Sequence, residues 1–180
     1  MKILFEKTDV LGLGRVYIAV DGEYISYIGE SRPDGEFDRI IDTKNKLIAP
    51  GLYNCHTHSA MTFLRGYGED LPLDRWLNER IFPAEDRLTE DIVFKSNMLA
   101  IAEMLKNGIC SFSDMYYFTD RTAEAVGETG MKANVSRSIV SFDPSADHTK
   151  DYRFNESVEL YKRYHNSFSG RVKVDFSLHA

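Results

Sequence analysis

The stretch LTEDIVFKSNMLAIAEMLKNGICSFSD, Leu88 to Asp114, decides how the chain is built. Its first part reads as one long helix. Thr89 can cap it by accepting from an unpaired backbone N–H, and Glu90 and Asp91 fall in the first turn, where the helix carries partial positive charge. Gly108 supplies the stop. ICSFSD (109–114) then reads as a short strand. The alternation continues outward, with a helix in TDRTAEAVGETG (119–130) and a strand in KANVSRSIV (132–140). A further helix in NESVELYKRYHNS (155–167) and a last strand in RVKVDFSLH (171–179) complete the series. Strands separated by helices imply βαβ units and a parallel sheet with covered faces. The fold class is α/β.

Working back from Leu88, the apolar run into PGLYNCHTH (Pro50 to His58) adds another strand, which makes four. A (β/α)8 TIM barrel typically takes about 250 residues. Residues 49–180 are about half of that, so they suit either a small open sheet or the first half of a barrel. Residues 1–48 have a different rhythm. VYIAVDGEYISYIG (16–29) is two alternating runs around Asp21-Gly22, which suits a tight type I′ hairpin. RIIDTKNKLIAP repeats the pattern with a turn near Lys44-Asn45. Two domains are therefore expected, a small β unit over 1–48 and the β/α units over 49–180.

Composition narrows the function classes. With 43% hydrophobic and 28% charged residues, nothing points to disorder or a fibre. The net charge of −6, with no Lys/Arg run, argues against a nucleic-acid partner. Ile3-Leu4-Phe5 is cut short by Glu6 and Lys7, too soon for a signal-peptide core, and no other apolar run could span a bilayer. Cys55 and Cys110 each lie in or beside an apolar, strand-like stretch, which suits a reduced cytoplasm better than a disulfide scaffold.

The chemistry concentrates at strand ends. In a β-strand residues i and i+2 share a face, so His56 and His58 would project together while Cys55 and Thr57 turn away. Two neutral imidazoles on a rigid strand begin a metal site, although a catalytic zinc usually takes three protein ligands and a water. Paired structural histidines would give the same spacing. Barrel active sites form at the C-terminal ends of strands, and His56, His58, Asp114, Arg137 and His179 all fall at or near such ends. An arginine inside NVSRSIV is costly to bury without an anionic partner. Asp114 reads as an acceptor that orients a ligand histidine or as a strand-end cap. His148, in a polar loop, and His165, on a helix, read as structural, and Tyr116-Tyr117-Phe118 as packing.

The chain resembles the N-terminal part of the metal-dependent amidohydrolase superfamily, in its 5-methylthioadenosine/S-adenosylhomocysteine deaminase branch. The likeness runs through DGEYISYIGE, KLIAPGLYNCHTHSAMTFLRGYGEDLPLDRWL, FPAEDRLTE, NGICSFSDMYY and VDFSLHA. It implies a (β/α)8 barrel with a small β-sandwich built from both chain ends, so the C-terminal half is expected to be absent here. It implies metal ligation by His56 and His58, and a nucleoside pocket lined by Trp76 and Glu85, with the carboxylate on ribose hydroxyls. Arg137 and Arg153 match positions near the sulfur-linked or carboxylate end of the substrate, and His179 matches a substrate-facing histidine. The remaining metal ligands and the general acid/base groups match positions beyond this chain, so no catalytic proton-transfer residue is assigned within it.

Related two-metal enzymes carry a bridging lysine at the end of strand four. Here that strand ends in His179 and its lysine, Lys173, lies near the opposite end, so the likeness points to one divalent ion, with zinc the first expectation. Such an ion lowers the pKa of its bound water to about 7. The implied reaction is hydrolytic deamination of an adenine nucleoside at purine C6 with release of ammonia. Two rivals stand beside it: a guanine or cytosine deaminase or triazine hydrolase on the same scaffold, and an inactive fragment or assembly partner. The expected partners are a nucleoside substrate, the absent half and further copies of the chain, with no nucleic acid and no membrane.

Overall fold

A computed structural model of the chain describes residues 1–140, 143 and 145–179. They form two compact units, Met1–Gly51 and Leu52–Ala180.

The first unit is one five-stranded sheet. Strand β1 (Lys2–Val10) pairs antiparallel with β2 (Gly14–Asp21), and β2 with β3 (Tyr24–Gly29). The hairpin forms where the sequence places it, since Asp21 faces Tyr24 across Gly22-Glu23. Its turn differs from the expected type. Of the two turn residues only Gly22 has positive φ (+59°), the pattern of a II′ turn, whereas I′ needs both. The second expected hairpin is not one. β4 (Arg39–Asp42) and β5 (Leu47–Ile48) both run parallel to β1, beside its residues 3–6 and 9–10, and the Lys44-Asn45 turn only bulges the chain out between them. Alternation in sequence reports a strand but not its partner. Leu4, Val16, Ile18 and Ala19 are the buried apolar residues of this sheet.

The second unit is α/β. Strands β6 (Leu52–Thr57), β7 (Ile109–Tyr116), β8 (Lys132–Val140), β9 (Val172–Val174) and β10 (Ser177–His179) pair in parallel in the order β10-β8-β7-β6, with β9 also on β8. The expected fourth strand is present as β9 and β10. Both keep one register against β8, from Ala133↔Val172 to Val140↔His179, with a break at Asp175-Phe176.

Between β6 and β7 come a 3₁₀ turn (Ser59–Leu64), α1 (Leu73–Trp76), a π turn (Leu77–Ile81), α2 (Phe82–Glu85) and the long α3 (Glu90–Lys106). α3 starts as its sequence predicts, with the Thr89 hydroxyl accepting from Ile92 N at 3.3 Å. α4 (Thr119–Thr129) and α5 (Tyr152–Tyr164) follow β7 and β8. Ile101, Phe112, Val126, Val135, Leu160 and Val172 bring all three long helices and strands β7 to β9 into one apolar core. At the ends of the strand order, Leu52 and Tyr53 on β6 and Leu178 on β10 are largely exposed. Among the described residues no helix is long and apolar enough to cross a membrane.

Candidate active site

β6 carries one residue too many for its partner between Asn54 and Thr57, which face Phe112 and Asp114 on β7. A bulge of this kind bends a strand and re-aims side chains, and here it lies under the histidine pair. His56 is on the strand and His58 just past its end. The imidazoles still converge, with ring centroids 5.4 Å apart and planes at 75°. His58 Nδ1 lies 2.7 Å from the carbonyl oxygen of Met115. A carbonyl only accepts, so in the neutral ring Nδ1 carries the proton and Nε2 keeps its lone pair, as a ligand histidine requires. The two rings fit two positions of a divalent-ion site. Among the described residues no cluster of three His, Cys, Asp or Glu side chains completes one.

Asp114 is 2% exposed, on the helix side of β7 with Phe112 and Tyr116. Its Oδ1 accepts from Ser59 N at 2.6 Å and from the Thr57 hydroxyl at 2.8 Å. Thr57 and Ser59 flank His58, so the carboxylate clamps the chain on both sides of it, through the Thr57 side chain and the Ser59 backbone. Among the described residues the carboxylate makes no hydrogen bond to either ring; Met115 does the orienting. Among the described residues Asp114 Oδ2 has no hydrogen-bond partner, and burial pushes the carboxyl pKa up against the pull of the Ser59 and Thr57 bonds. Beneath the clamp, the Ser59 hydroxyl donates to Asn97 Oδ1 at 2.5 Å, and Asn97 Nδ2 donates to Thr122 Oγ1 at 3.0 Å, which ties the turn to α3 and α4.

Glu85, in a charged run by sequence, is half-buried at the end of α2, and burial raises its pKa. The Tyr116 hydroxyl donates to its Oε1 at 2.7 Å. Tyr116 is 5% exposed and packs with Ala60 and Val93, so its reading as packing holds, with a polar bond added. Its ring centroid is 6.2 Å from that of His58 and 5.1 Å from that of Tyr117. Trp76 ends α1 in the same β6–α3 connection. Gly68 lies against it with φ +82°, and a Cβ there would sit 3.2 Å from Trp76 Cδ1 and 2.8 Å from Arg80 Cγ.

Residues 47–180 match the model of the Amidohydrolase family. The chain belongs to the amidohydrolase family. It is 40% identical over its whole length to the 5-methylthioadenosine/S-adenosylhomocysteine deaminase of Dictyoglomus thermophilum, of which it covers 42%. It is 36% identical to the 5′-deoxyadenosine deaminase of Methanothermobacter thermautotrophicus over 97% of its length, covering 40% of that protein. Among solved structures, the adenosine deaminase of Xanthomonas campestris with bound zinc superposes with a TM-score of 0.78 at 27% identity, over 98% of this chain and 42% of that one. The chain thus spans less than half the length of the curated relatives it matches.

The other expected site residues of this amidohydrolase chain lie on other elements, β8, α5 and β10. Arg137, 8% exposed, shares the helix side of β8 with Ala133 and Val135. The anionic partner its burial demands is supplied by the protein. Nε donates to Glu156 Oε2 at 2.8 Å, and the guanidinium lies 4.9 Å from the Tyr117 ring centroid. Tyr117, Arg137, Glu156 and Arg163 border a cavity of about 310 Å³. Arg153 makes a forked bond to Asp151, at 2.9 and 2.6 Å, at the start of α5. His179 ends β10 in register with Val140. His165 is structural as expected, accepting from Val174 N at 3.2 Å. Met115, Tyr116 and Asn97 were not singled out as site residues by sequence. By sequence Tyr116 reads only as packing, and the predicted strand ends at Asp114, two residues before it.

Proposed function

We propose that this chain is the N-terminal part of a mononuclear aminohydrolase acting on adenine nucleosides of the 5-methylthioadenosine/S-adenosylhomocysteine type. In this reading the second unit is the first half of a (β/α)8 barrel. The first sheet is one contribution to a β-sandwich, and the remaining strands come from sequence beyond this chain. The observation that carries the reading is the convergent His56/His58 pair at the end of a parallel strand, with His58 Nδ1 fixed by the Met115 carbonyl. The names of the relatives support the substrate class, since each of the named substrates joins adenine to a ribose and they differ at the 5′ position.

The reaction replaces the exocyclic amine at purine C6 by oxygen from water and releases ammonia. A divalent ion, zinc by the likeness to the zinc-bound adenosine deaminase, would supply at this pair a water with a pKa of about 7. His56 and His58 hold that ion, and the Asp114 clamp keeps their turn in place. Trp76 packs against the nucleoside and Glu85 accepts from sugar hydroxyls. Arg137, Arg153 and His179 face the 5′ substituent; where that substituent carries a carboxylate, as in S-adenosylhomocysteine, an arginine that binds it trades its present carboxylate partner for it. The proton-transfer groups and the remaining ligands come from outside this chain, in a protein expected to act in the cytoplasm.

In the full protein, His56→Ala should abolish the ultraviolet absorbance change that accompanies adenine deamination, and unchanged turnover would end the reading. A panel with guanine, cytosine and a triazine beside the adenine nucleosides separates it from other amidohydrolase activities. Because the described residues hold only two imidazole ligands, the isolated 180-residue chain is expected to be inactive and to bind metal weakly. Measured turnover by that purified chain would refute this part.

A further inference from the structure

The Tyr116–Glu85 bond joins two residues that a packing role alone would not require to meet. A tyrosine that only filled space between Ala60 and Val93 could be phenylalanine. Instead its hydroxyl donates to Glu85 Oε1 at 2.7 Å from a ring that is 5% exposed and cannot swing. Glu85 Oε2 takes no protein partner among the described residues and remains an acceptor. We infer that Tyr116 is a positioning residue whose hydroxyl fixes Glu85 as the reader of a sugar diol at a set distance from the histidine pair. This rests on the proposed function and deepens it.

The distance is set by one strand end. Asp114, Met115 and Tyr116 are consecutive on β7. The first clamps the backbone around His58, the second holds its Nδ1, and the third holds Glu85. The reacting base and the sugar would therefore be measured off the same three residues, with the Tyr116 ring centroid 6.2 Å from that of His58. The chemistry suits a vicinal diol, because a carboxylate with one oxygen pinned still offers acceptor sites to two neighbouring hydroxyls. The tyrosine hydroxyl does a second thing. Burial works against charge on Glu85, while the Tyr116 bond favours the ionised, accepting form. Without it the carboxyl would turn more freely and hold a proton more readily, and both changes weaken a diol. Such recognition would be indifferent to the 5′ substituent, which is where the substrates named for the relatives differ.

The test uses the full, zinc-loaded protein and two substrates, 5′-deoxyadenosine and 2′,3′-dideoxyadenosine, of which only the first carries the diol. In Tyr116→Phe the ratio of their kcat/KM values should fall by about tenfold, the size of one net hydrogen bond, with the change carried by KM and with zinc content as in wild type. Glu85→Gln should lose the same discrimination, and the double variant should lose no more than Glu85→Gln alone. Equal losses on both substrates, no loss on either, or additive effects in the double variant would overturn the inference and leave the functional reading standing. A wild-type protein that deaminates no adenine nucleoside would overturn both.

Discussion

Asp114 offers the sharpest check on how the histidine turn is held. Two variants separate its hydrogen bonds from its charge. Asp114→Ala removes both. Ser59, 6% exposed, then buries an unpaired N–H, a loss of about 1–3 kcal/mol. Thr57 suffers little, because its hydroxyl also reaches Ser113 O at 2.8 Å. Asp114→Asn keeps an acceptor in place for Ser59 and Thr57 and removes only the charge. The asparagine variant should therefore be the more stable by about 1–3 kcal/mol, or about 3–9 °C in melting temperature for a chain of this size. The pH dependence is the second signature. Burial raises the folded pKa of Asp114 above its unfolded value. Between the two values the native state holds the extra proton, so wild-type stability falls as pH rises through that window. Asp114→Asn lacks this slope, so its stability relative to wild type should rise with pH through that window and then level off. Urea denaturation across pH, followed by circular dichroism, measures all three proteins. Equal stability of the alanine and asparagine variants would refute the clamp.

Three further outcomes are expected. His58→Ala should keep its circular dichroism spectrum but lose zinc during dialysis against a chelator, and retained stoichiometric zinc would show that the ring is not a ligand. Gly68→Ala should destabilise the protein by about 2 kcal/mol, because the new Cβ meets Trp76 and Arg80 in a left-handed backbone position. The emission of Trp76, the chain's single tryptophan, should shift with it, and an unchanged spectrum and midpoint would refute the close approach. The Arg153 side chain holds the Asp151 carboxyl down at about 2, below its ordinary 3.8. A depressed folded pKa adds stability above the unfolded value and loses it as pH falls towards 2, so a carboxyl resonance of Asp151 that titrates near 4 by NMR would contradict the pair.

Much of the second unit is legible in local pattern because its signals are local. Thr89, Glu90 and Gly108 mark the ends of α3 without reference to any other part of the chain. The strands of β7 and β8 announce themselves as apolar runs between helices. What stayed hidden depends on partners distant in sequence. The pairing of β4 and β5 with β1 is set more than thirty residues away. The half-burial of Glu85 needs Tyr116 on another element. The bulge under His56 is visible only against the register of β7. Spacing predicts the two rings side by side, and they are, but a bulge lies beneath the pair, His58 falls past the strand end and a carbonyl fixes it, none of which spacing encodes.

The same dependence explains why strand-end position alone does not define a site. Asp114, Tyr116 and Arg137 all lie near the C-terminal ends of their strands, yet each falls in the register of core residues, Phe112 on β7 and Ala133 and Val135 on β8. Alternation turns them towards the helix layer. Residues so placed can act by holding something that reaches the site, as Asp114 holds Ser59 and Tyr116 holds Glu85. Arg137 is the harder case, because its guanidinium is already neutralised by Glu156 and covered by Tyr117. The Glu156 side chain is 53% exposed and held mainly by that pair, so it is the partner able to leave while Arg137 stays fixed. In the proposed reading, an anionic group on the substrate would compete with a carboxylate already in place, and selectivity at the 5′ end would be a difference between two ion pairs rather than the gain of one.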